Sequence, residues 1–120
     1  MKKKTLILGA TPNPARYANI AAHKLVAYGH PIVNVGLKSG ESAGTVIEKP
    51  EQIHTDIDTI TLYVGTLNQP PLYDYILKTH PKRIIFNPGT ENPVLVELAE
   101  KNGIQTEEAC TLVMLSVNNY

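Results

Sequence analysis

The chain has 120 residues, 42% of them hydrophobic, and its 11 basic side chains balance 11 acidic ones. This length favours one domain, 1–120, with a substantial hydrophobic core. The zero formal charge argues against a nucleic acid or a membrane surface as partner, because no overall field attracts either. The single cysteine excludes an internal disulfide bond, and with no signal peptide or membrane-length apolar run we expect a cytoplasmic protein.

The first structural signal lies between residues 4 and 17. Leu6–Leu8 reads as a buried strand that breaks at Gly9, and a helix is predicted from about Pro14, with Arg16 near its first turn. Such a turn points backbone N–H groups and the positive end of the helix dipole at the sheet edge. Arg16 adds a forked donor. The stretch therefore predicts binding of an anionic, phosphate-bearing small molecule.

The remaining elements alternate between strands and helices. Further strands are predicted at 32–35, at a short edge segment 45–47, and at 59–64, 83–86 and 104–106. Apolar residues at Tyr17, Ile20 and Leu25 define one face of the first helix, and later helices are predicted after Asn68 and at Pro93. Residues 38–44 read as a surface loop, and the tail 110–120 is compatible with helix or strand.

This alternation predicts an α/β fold. Strands separated by crossover helices imply a parallel sheet with helices on both faces. Right-handed crossovers make a three-layer, Rossmann-like, doubly wound sheet the simplest topology. We expect five main strands plus the short edge strand, in the order 3-2-1-4-5-6 with the edge strand counted as the third.

Ligands of such sheets bind beyond the carboxyl ends of the strands. The loops expected there are 9–13, 36–40, 65–69 and 87–91, and each has a glycine at or near its start. A single glycine often does no more than end a strand. Four at one sheet edge favour a binding site, because small residues let a ligand approach the backbone.

The loops after the first and second strands indicate which kind of nucleotide could bind. The first loop lacks the G-x-G-x-x-G pattern of dinucleotide-binding proteins, and no acid follows the second strand to bind ribose hydroxyls. Lys38 stands there instead. It would attract a phosphate on the adenosine ribose, which both NADP and coenzyme A contain, although a solvated surface lysine fits equally well.

Candidate catalytic groups are few. Cys110 follows Glu107 and Glu108, whose charges do not activate a thiol, so a structural thiol is favoured over a nucleophile. No histidine pair has metal-ligand spacing. Glu91 stands at the expected rim as a possible base, and helix capping by Asn92 explains the pair at least as well. The question of enzyme activity stays open.

Four motifs occur in a familiar order: G-A-T-x-x-x-x-R after the first strand, x-V-x-x-K at the end of the second, I-I-F-N-P-G-T-E-N, and E-x-C near the end. This combination resembles the small, single-domain CoA-binding proteins, whose fold is similar to the CoA-binding domain of the succinyl-CoA synthetase α subunit. The resemblance runs from Thr5 to about Leu115. It implies binding of coenzyme A or an acyl derivative, with no established reaction.

The resemblance also implies site residues. Backbone groups of the first glycine loop would hold the pyrophosphate beside Arg16, and in the adenine and ribose-phosphate segment Val35 and Lys38 match the family. Val64 stands near the place where members often have a basic residue. The predicted cofactor-binding residues are Gly9, Ala10, Thr11, Asn13, Pro14, Arg16, Val35, Gly36, Lys38, Val64, Asn87, Pro88 and Gly89.

Three functional hypotheses follow. The first is a cytoplasmic module that binds CoA or acyl-CoA as a non-catalytic carrier, sensor or regulator, as a homodimer or beside a partner enzyme. The second is an NADP-linked oxidoreductase or another nucleotide-dependent enzyme. The third is a vestigial fold that serves only as an interaction domain.

Overall fold

The computed structural model describes residues 2–120, which form one seven-stranded sheet flanked by helices. The strands are β1 Thr5–Leu8, β2 Ile32–Val35, β3 Glu41–Ser42, β4 Thr45–Glu48, β5 Thr59–Leu62, β6 Arg83–Phe86 and β7 Gln105–Glu108. The helices are α1 Tyr17–Ala27, α2 Tyr73–Thr79, α3 Pro93–Lys101 and α4 Thr111–Ser116. Two short 3-10 turns, Thr66–Asn68 and Pro70–Leu72, precede α2.

The strand order is β3-β4-β2-β1-β5-β6-β7. The Rossmann-like α/β class is confirmed, and the six parallel strands follow the predicted order, with β4 in the third place of that order beside β2. The order differs by one additional strand, because β3 pairs antiparallel with β4. Ala43 and Gly44 between them have φ of 54° and 78°. Positive φ at both central residues is the geometry of a tight hairpin turn, so part of the predicted 38–44 loop is a hairpin.

Both faces of the sheet are covered. Alternate residues of a strand point to opposite faces, so Leu6 and Leu8 join the apolar cluster under α2 and α3. Ile7 packs on the other side with α1 residues such as Leu25 and with Leu115 of α4. Every residue of β1, β5 and β6 is buried. Full burial of one such aliphatic side chain contributes roughly 1.5 to 3 kcal/mol, and this fixes the sheet at the centre of the molecule.

Helix α1 starts later than predicted, and its buried face contains the predicted Leu25 but not Tyr17. Asn13 forms a turn before it, since Asn13 Oδ1 accepts from Ala15 N at 3.0 Å and Asn13 O accepts from Arg16 N at 3.1 Å. Arg16 is therefore the N-cap. The face against the sheet is made of small residues including Ala18, Ala21 and Ala22, which let the helix approach closely, whereas Tyr17 is 71% exposed.

Helix α3 begins at Pro93 as predicted, whereas the helix predicted after Asn68 begins later. The segment after Asn68 forms 3-10 turns instead of regular helix, and α2 begins only at Tyr73. Pro70 and Pro71 have no N–H to donate, which limits the backbone hydrogen bonds available there. The ambiguous tail forms helix α4, which packs on α1 with Lys24 Nζ donating to Ser116 Oγ at 3.1 Å. Within 2–120 no helix has the length and apolar character needed to span a membrane.

Candidate functional site

A cleft of about 1140 Å³ lies beyond the carboxyl ends of β2, β1, β5 and β6. This is the sheet edge where an α/β fold binds its ligands, and the cleft is large enough for a small-molecule ligand. All four loops predicted from the sequence contribute to it. The predicted residues that line it are Gly9, Ala10, Thr11, Asn13, Arg16, Gly36, Lys38, Val64, Pro88 and Gly89.

Three predicted residues lie outside this lining: Pro14, Val35 and Asn87. Val35 is fully buried, and its carbonyl oxygen accepts from the N–H groups of both Gly9 and Ala10 at 2.9 Å. Two backbone donors expected to face a pyrophosphate are thus engaged within the protein. A ligand-binding role for each of the thirteen residues stays a prediction.

Glycine is required at two positions by the close approach of neighbouring loops. A Cβ at Gly36 would lie 2.3 Å from the carbonyl oxygen of Ala10. Gly9 has a φ of +102°, and its Cβ would lie 2.9 Å from the backbone carbonyl of Tyr63. These contacts join the loops after β1, β2 and β5, so the two glycines shape the cleft floor.

The N-terminus of α1 opens into the cleft. Tyr17 and Ala18 line it, and as the first two helical residues they have N–H groups without intrahelical partners. No side chain caps this end of the helix, and its first turn contains no acid. Open N–H donors at the positive end of a helix dipole favour an anion.

The charged side chains that line the cleft are all positive. Among the lining residues only Arg16 and Lys38 are charged, and both are exposed. The remaining lining residues are neutral, although the whole chain contains 11 acids. An electrically neutral protein therefore has a local positive site at the sheet edge where the sequence predicts one.

Asn87 supports the site from within the protein. It is 2% exposed, and its Nδ2 donates to Thr61 Oγ1 at 2.8 Å and to the carbonyl oxygen of Leu62 at 2.9 Å. Its Oδ1 accepts from the backbone N–H of Thr111 at 2.9 Å. All these partners are protein groups, so the structure gives Asn87 a structural role below the loop that bears Pro88.

The N-P-G-T-E-N loop is held by its own side chains. Glu91 Oε1 accepts from Gly89 N at 3.0 Å. Asn92 Oδ1 accepts from Val94 N at 3.1 Å and Leu95 N at 3.3 Å, which confirms Asn92 as the cap of α3. The Glu91 side chain lies outside the cleft lining and stabilises the turn.

Sequence reasoning missed the apolar rim of the cleft. Tyr17, Leu37 and Leu67 line it and are 71%, 77% and 94% exposed. Large exposed apolar side chains grouped around a cleft often mark a binding surface. Leu37 and Leu67 lie within loops assigned to the site. Their apolar character beside a loop glycine is the signal that could have identified them.

Two other groups complete the chemistry of this region. Tyr63 lies in the cleft wall, and burial raises the pKa of its hydroxyl to about 12, so it is a neutral group at physiological pH. Cys110 is a half-buried free thiol before α4 and is not part of the cleft lining. Within residues 2–120, no cluster of three or more His, Cys, Asp or Glu side chains suits a metal ion.

The fold and the site define a class: a doubly wound α/β protein with an anion-attracting cleft at the carboxyl edge of its sheet, the architecture used for nucleotide-like ligands. Within that class, the family model described as CoA binding domain matches residues 3–116, and the chain belongs to this family. The resemblance identified from the sequence is thereby confirmed.

Several solved structures share this fold. A crystal structure of an uncharacterised protein is 49% identical, with a TM-score of 0.98, and the match covers 100% of this chain and 99% of that chain. A hypothetical protein from Pyrococcus horikoshii OT3 is 23% identical over 97% of this chain and 83% of its own, with a TM-score of 0.86. A Thermus thermophilus protein is 16% identical over 99% and 91%, with a TM-score of 0.87. These two show a shared fold. A search of curated proteins found no match.

Proposed function

We propose that this protein binds coenzyme A or an acyl-CoA in the cleft and acts as a non-catalytic carrier, sensor or regulatory module. The observation that supports this is the pairing of Arg16 and Lys38, the charged residues of the lining, with the open N-terminus of α1. Membership in the CoA-binding domain family supplies the ligand class. The single thiol of the chain supports a reducing compartment such as the cytoplasm.

The pyrophosphate is assigned to the start of α1. The N–H groups of Tyr17 and Ala18 are available there, whereas those of Gly9 and Ala10 donate to the Val35 carbonyl. Arg16, at the N-cap, supplies a charged forked donor beside them. In this proposal the first glycine loop shapes the site, and the start of α1 supplies the backbone donors. The resemblance instead implied that the backbone of the glycine loop would hold the pyrophosphate.

The phosphate on the ribose is assigned to Lys38. This residue follows β2, the neighbour of β1, so it lies one strand away from the pyrophosphate position. It is exposed and lines the cleft. An ammonium on a flexible stem suits a terminal phosphate without demanding one geometry.

The chemical groups that line the cleft favour binding without catalysis. Its charged groups, Arg16 and Lys38, are basic side chains that suit the binding of anions. The thiol of Cys110 and the carboxylate of Glu91, the groups considered for nucleophilic or basic roles, lie outside it. The protein would then present CoA to a partner enzyme or respond to its level.

NADP is the second candidate, because Lys38 in a cleft wall without acids also suits the 2′-phosphate of its adenosine ribose. A thermal-shift titration against CoA, acetyl-CoA, NADP, NAD and ATP separates the two, since a ligand of the native state raises the melting temperature. We expect a shift with the CoA compounds. A shift with NADP alone would instead support the oxidoreductase, and no shift with any compound would support the interaction domain.

Arg16→Ala, with Lys82→Ala as matched control, tests where the ligand binds. Lys82 is an exposed lysine that precedes β6 at the opposite edge of the sheet. A charge-assisted contact is worth about 1.5 to 3 kcal/mol, so Arg16→Ala should weaken CoA binding about ten- to a hundredfold. Lys82→Ala should bind CoA as the wild type does. Equal affinities for all three proteins would place the ligand elsewhere.

A further inference from the structure

The cleft has two ends of different electrical character. Both charged lining residues, Arg16 and Lys38, belong to the loops after β1 and β2. The loops after β5 and β6 contribute only uncharged residues to the lining, among them Val64, Leu67 and Leu72. An extended ligand that matches this cleft has an anionic end and an uncharged end.

The sheet sets the direction and span of that ligand. The four strands under the cleft lie in the order β2-β1-β5-β6. Neighbouring strands are about 4.8 Å apart, so the β2 and β6 loops are about 14 Å apart across the sheet. A ligand with its phosphates at Lys38 and the start of α1 therefore extends its remaining length toward Leu67 and Gly89.

The uncharged end is bordered by an acid. Glu91 is not part of the lining, but its Oε1 accepts at 3.0 Å from the N–H of Gly89, which lines the cleft. Its backbone carbonyl accepts from Thr66 Oγ1 at 2.7 Å, which ties the β6 loop to the residue before Leu67. The lining at this end is mostly apolar, with the neutral side chains of Asn68 and Thr90 and no cation. A ligand carboxylate there would find no opposite charge to offset its loss of hydration and would lie near the carboxylate of Glu91.

Resting on the proposed CoA-binding function, we propose that the cleft selects CoA thioesters with an uncharged acyl chain over those that end in a carboxylate. In this arrangement the acyl chain contacts Leu67 and Leu72, which line the cleft in the 3-10 segments before α2. Leu67 is 94% exposed, so such a contact would cover apolar surface that otherwise faces water.

Butyryl-CoA and succinyl-CoA make a matched pair of probes, because both acyl groups have four carbons and they differ in a terminal methyl or carboxylate. Affinities for CoA, butyryl-CoA and succinyl-CoA would be measured by calorimetry on the same protein. We expect butyryl-CoA to bind at least about tenfold more tightly than succinyl-CoA, because the succinyl carboxylate loses hydration at this end without gaining an opposite charge. Equal affinities, or tighter binding of succinyl-CoA, would overturn the selectivity.

Leu67→Lys tests whether the discrimination arises at the assigned end. A cation there should reduce the butyryl preference to near unity or reverse it. Val113→Lys, at an exposed position of α4, is the matched control and should retain the preference. Retention of the full preference in Leu67→Lys would contradict the location. Binding of CoA with no acyl discrimination sinks this inference alone, whereas no binding of any CoA compound sinks the proposed function with it.

Discussion

Asn87 Oδ1 accepts a hydrogen bond from the backbone N–H of Thr111 at 2.9 Å, and the hydroxyls of Thr111 and Thr61 are 2.8 Å apart. These buried groups join the loop after β6, strand β5 and the start of α4. The site loop and the C-terminal helix are therefore positioned by one polar network beneath the cleft.

Replacing Asn87 by Ala should lower the free energy of unfolding by about 3 kcal/mol. The substitution leaves the buried N–H of Thr111 and the hydroxyl of Thr61 short of a partner, and an unsatisfied buried group costs about 1 to 3 kcal/mol. Urea denaturation followed by circular dichroism measures the change. Asn102→Ala, which removes an exposed hydrogen bond to Leu98 O, is the control and should cost less than about 1 kcal/mol. Equal losses would contradict the structural role of Asn87.

Gly36→Ala should destabilise the protein, because its Cβ would lie 2.3 Å from the Ala10 carbonyl oxygen. Overpacking of this kind costs about 1 to 3 kcal/mol, and the strain would separate the β1 and β2 loops that form the cleft floor. Gly65→Ala is the matched control, since its Cβ meets no atom within 4 Å and its φ is −58°. Melting temperatures distinguish them: Gly36→Ala should melt several degrees lower, and Gly65→Ala close to the wild type.

The phosphate assignment predicts different responses to dephospho-CoA, which lacks the ribose phosphate of CoA. Lys38→Ala should weaken binding of CoA about tenfold and leave dephospho-CoA binding nearly unchanged, because its partner is absent from that ligand. Arg16→Ala should weaken both, since both retain the pyrophosphate. Calorimetric titration of the two variants with the two ligands gives the binding free energies, which are compared as in a double-mutant cycle. An equal loss for both ligands in Lys38→Ala would show that Lys38 does not contact the ribose phosphate.

Acidification should destabilise the protein through His30. Burial, and next the charges of Lys2, Lys3 and Arg83, lower the pKa of His30 from its ordinary value of 6.5. Its Nδ1 accepts from the backbone N–H of Lys3 at 3.0 Å, and its ring packs edge-on against Tyr120. The stability contributed by neutral His30 is full above pH 6.5 and is lost as the pH falls through its depressed folded-state pKa, because the unfolded chain takes up the proton first.

His30→Asn tests this dependence, since the amide oxygen can accept from Lys3 N but does not titrate. We expect the variant to lose less unfolding free energy than the wild type between about pH 7 and about pH 5. His23→Asn, at an exposed position of α1, is the control and should follow the wild-type curve. A wild-type curve that stays flat over this range would contradict the role of His30.

The sequence by itself determined the fold class and the sheet order of the parallel strands. Runs such as Leu6–Leu8 and Ile84–Phe86 are apolar and are separated by helical patterns, and crossover handedness leaves few topologies for them. The sequence also located the four loops of the cleft and its two basic residues, because a loop that follows a parallel strand must lie at the carboxyl edge.

Only the tertiary structure decided which atoms are available in those loops. The N–H groups of Gly9 and Ala10 donate to the carbonyl oxygen of Val35, a residue 25 positions or more away. The side-chain amide of Asn87 forms hydrogen bonds with β5 and α4. The alternation pattern also could not choose helix for the tail or show that Tyr17 of α1 is exposed, since the packing partners of each segment decide both. Hydrogen-bond satisfaction is a property of neighbours brought together by folding, so local sequence predicts the position of a polar group and not its partner.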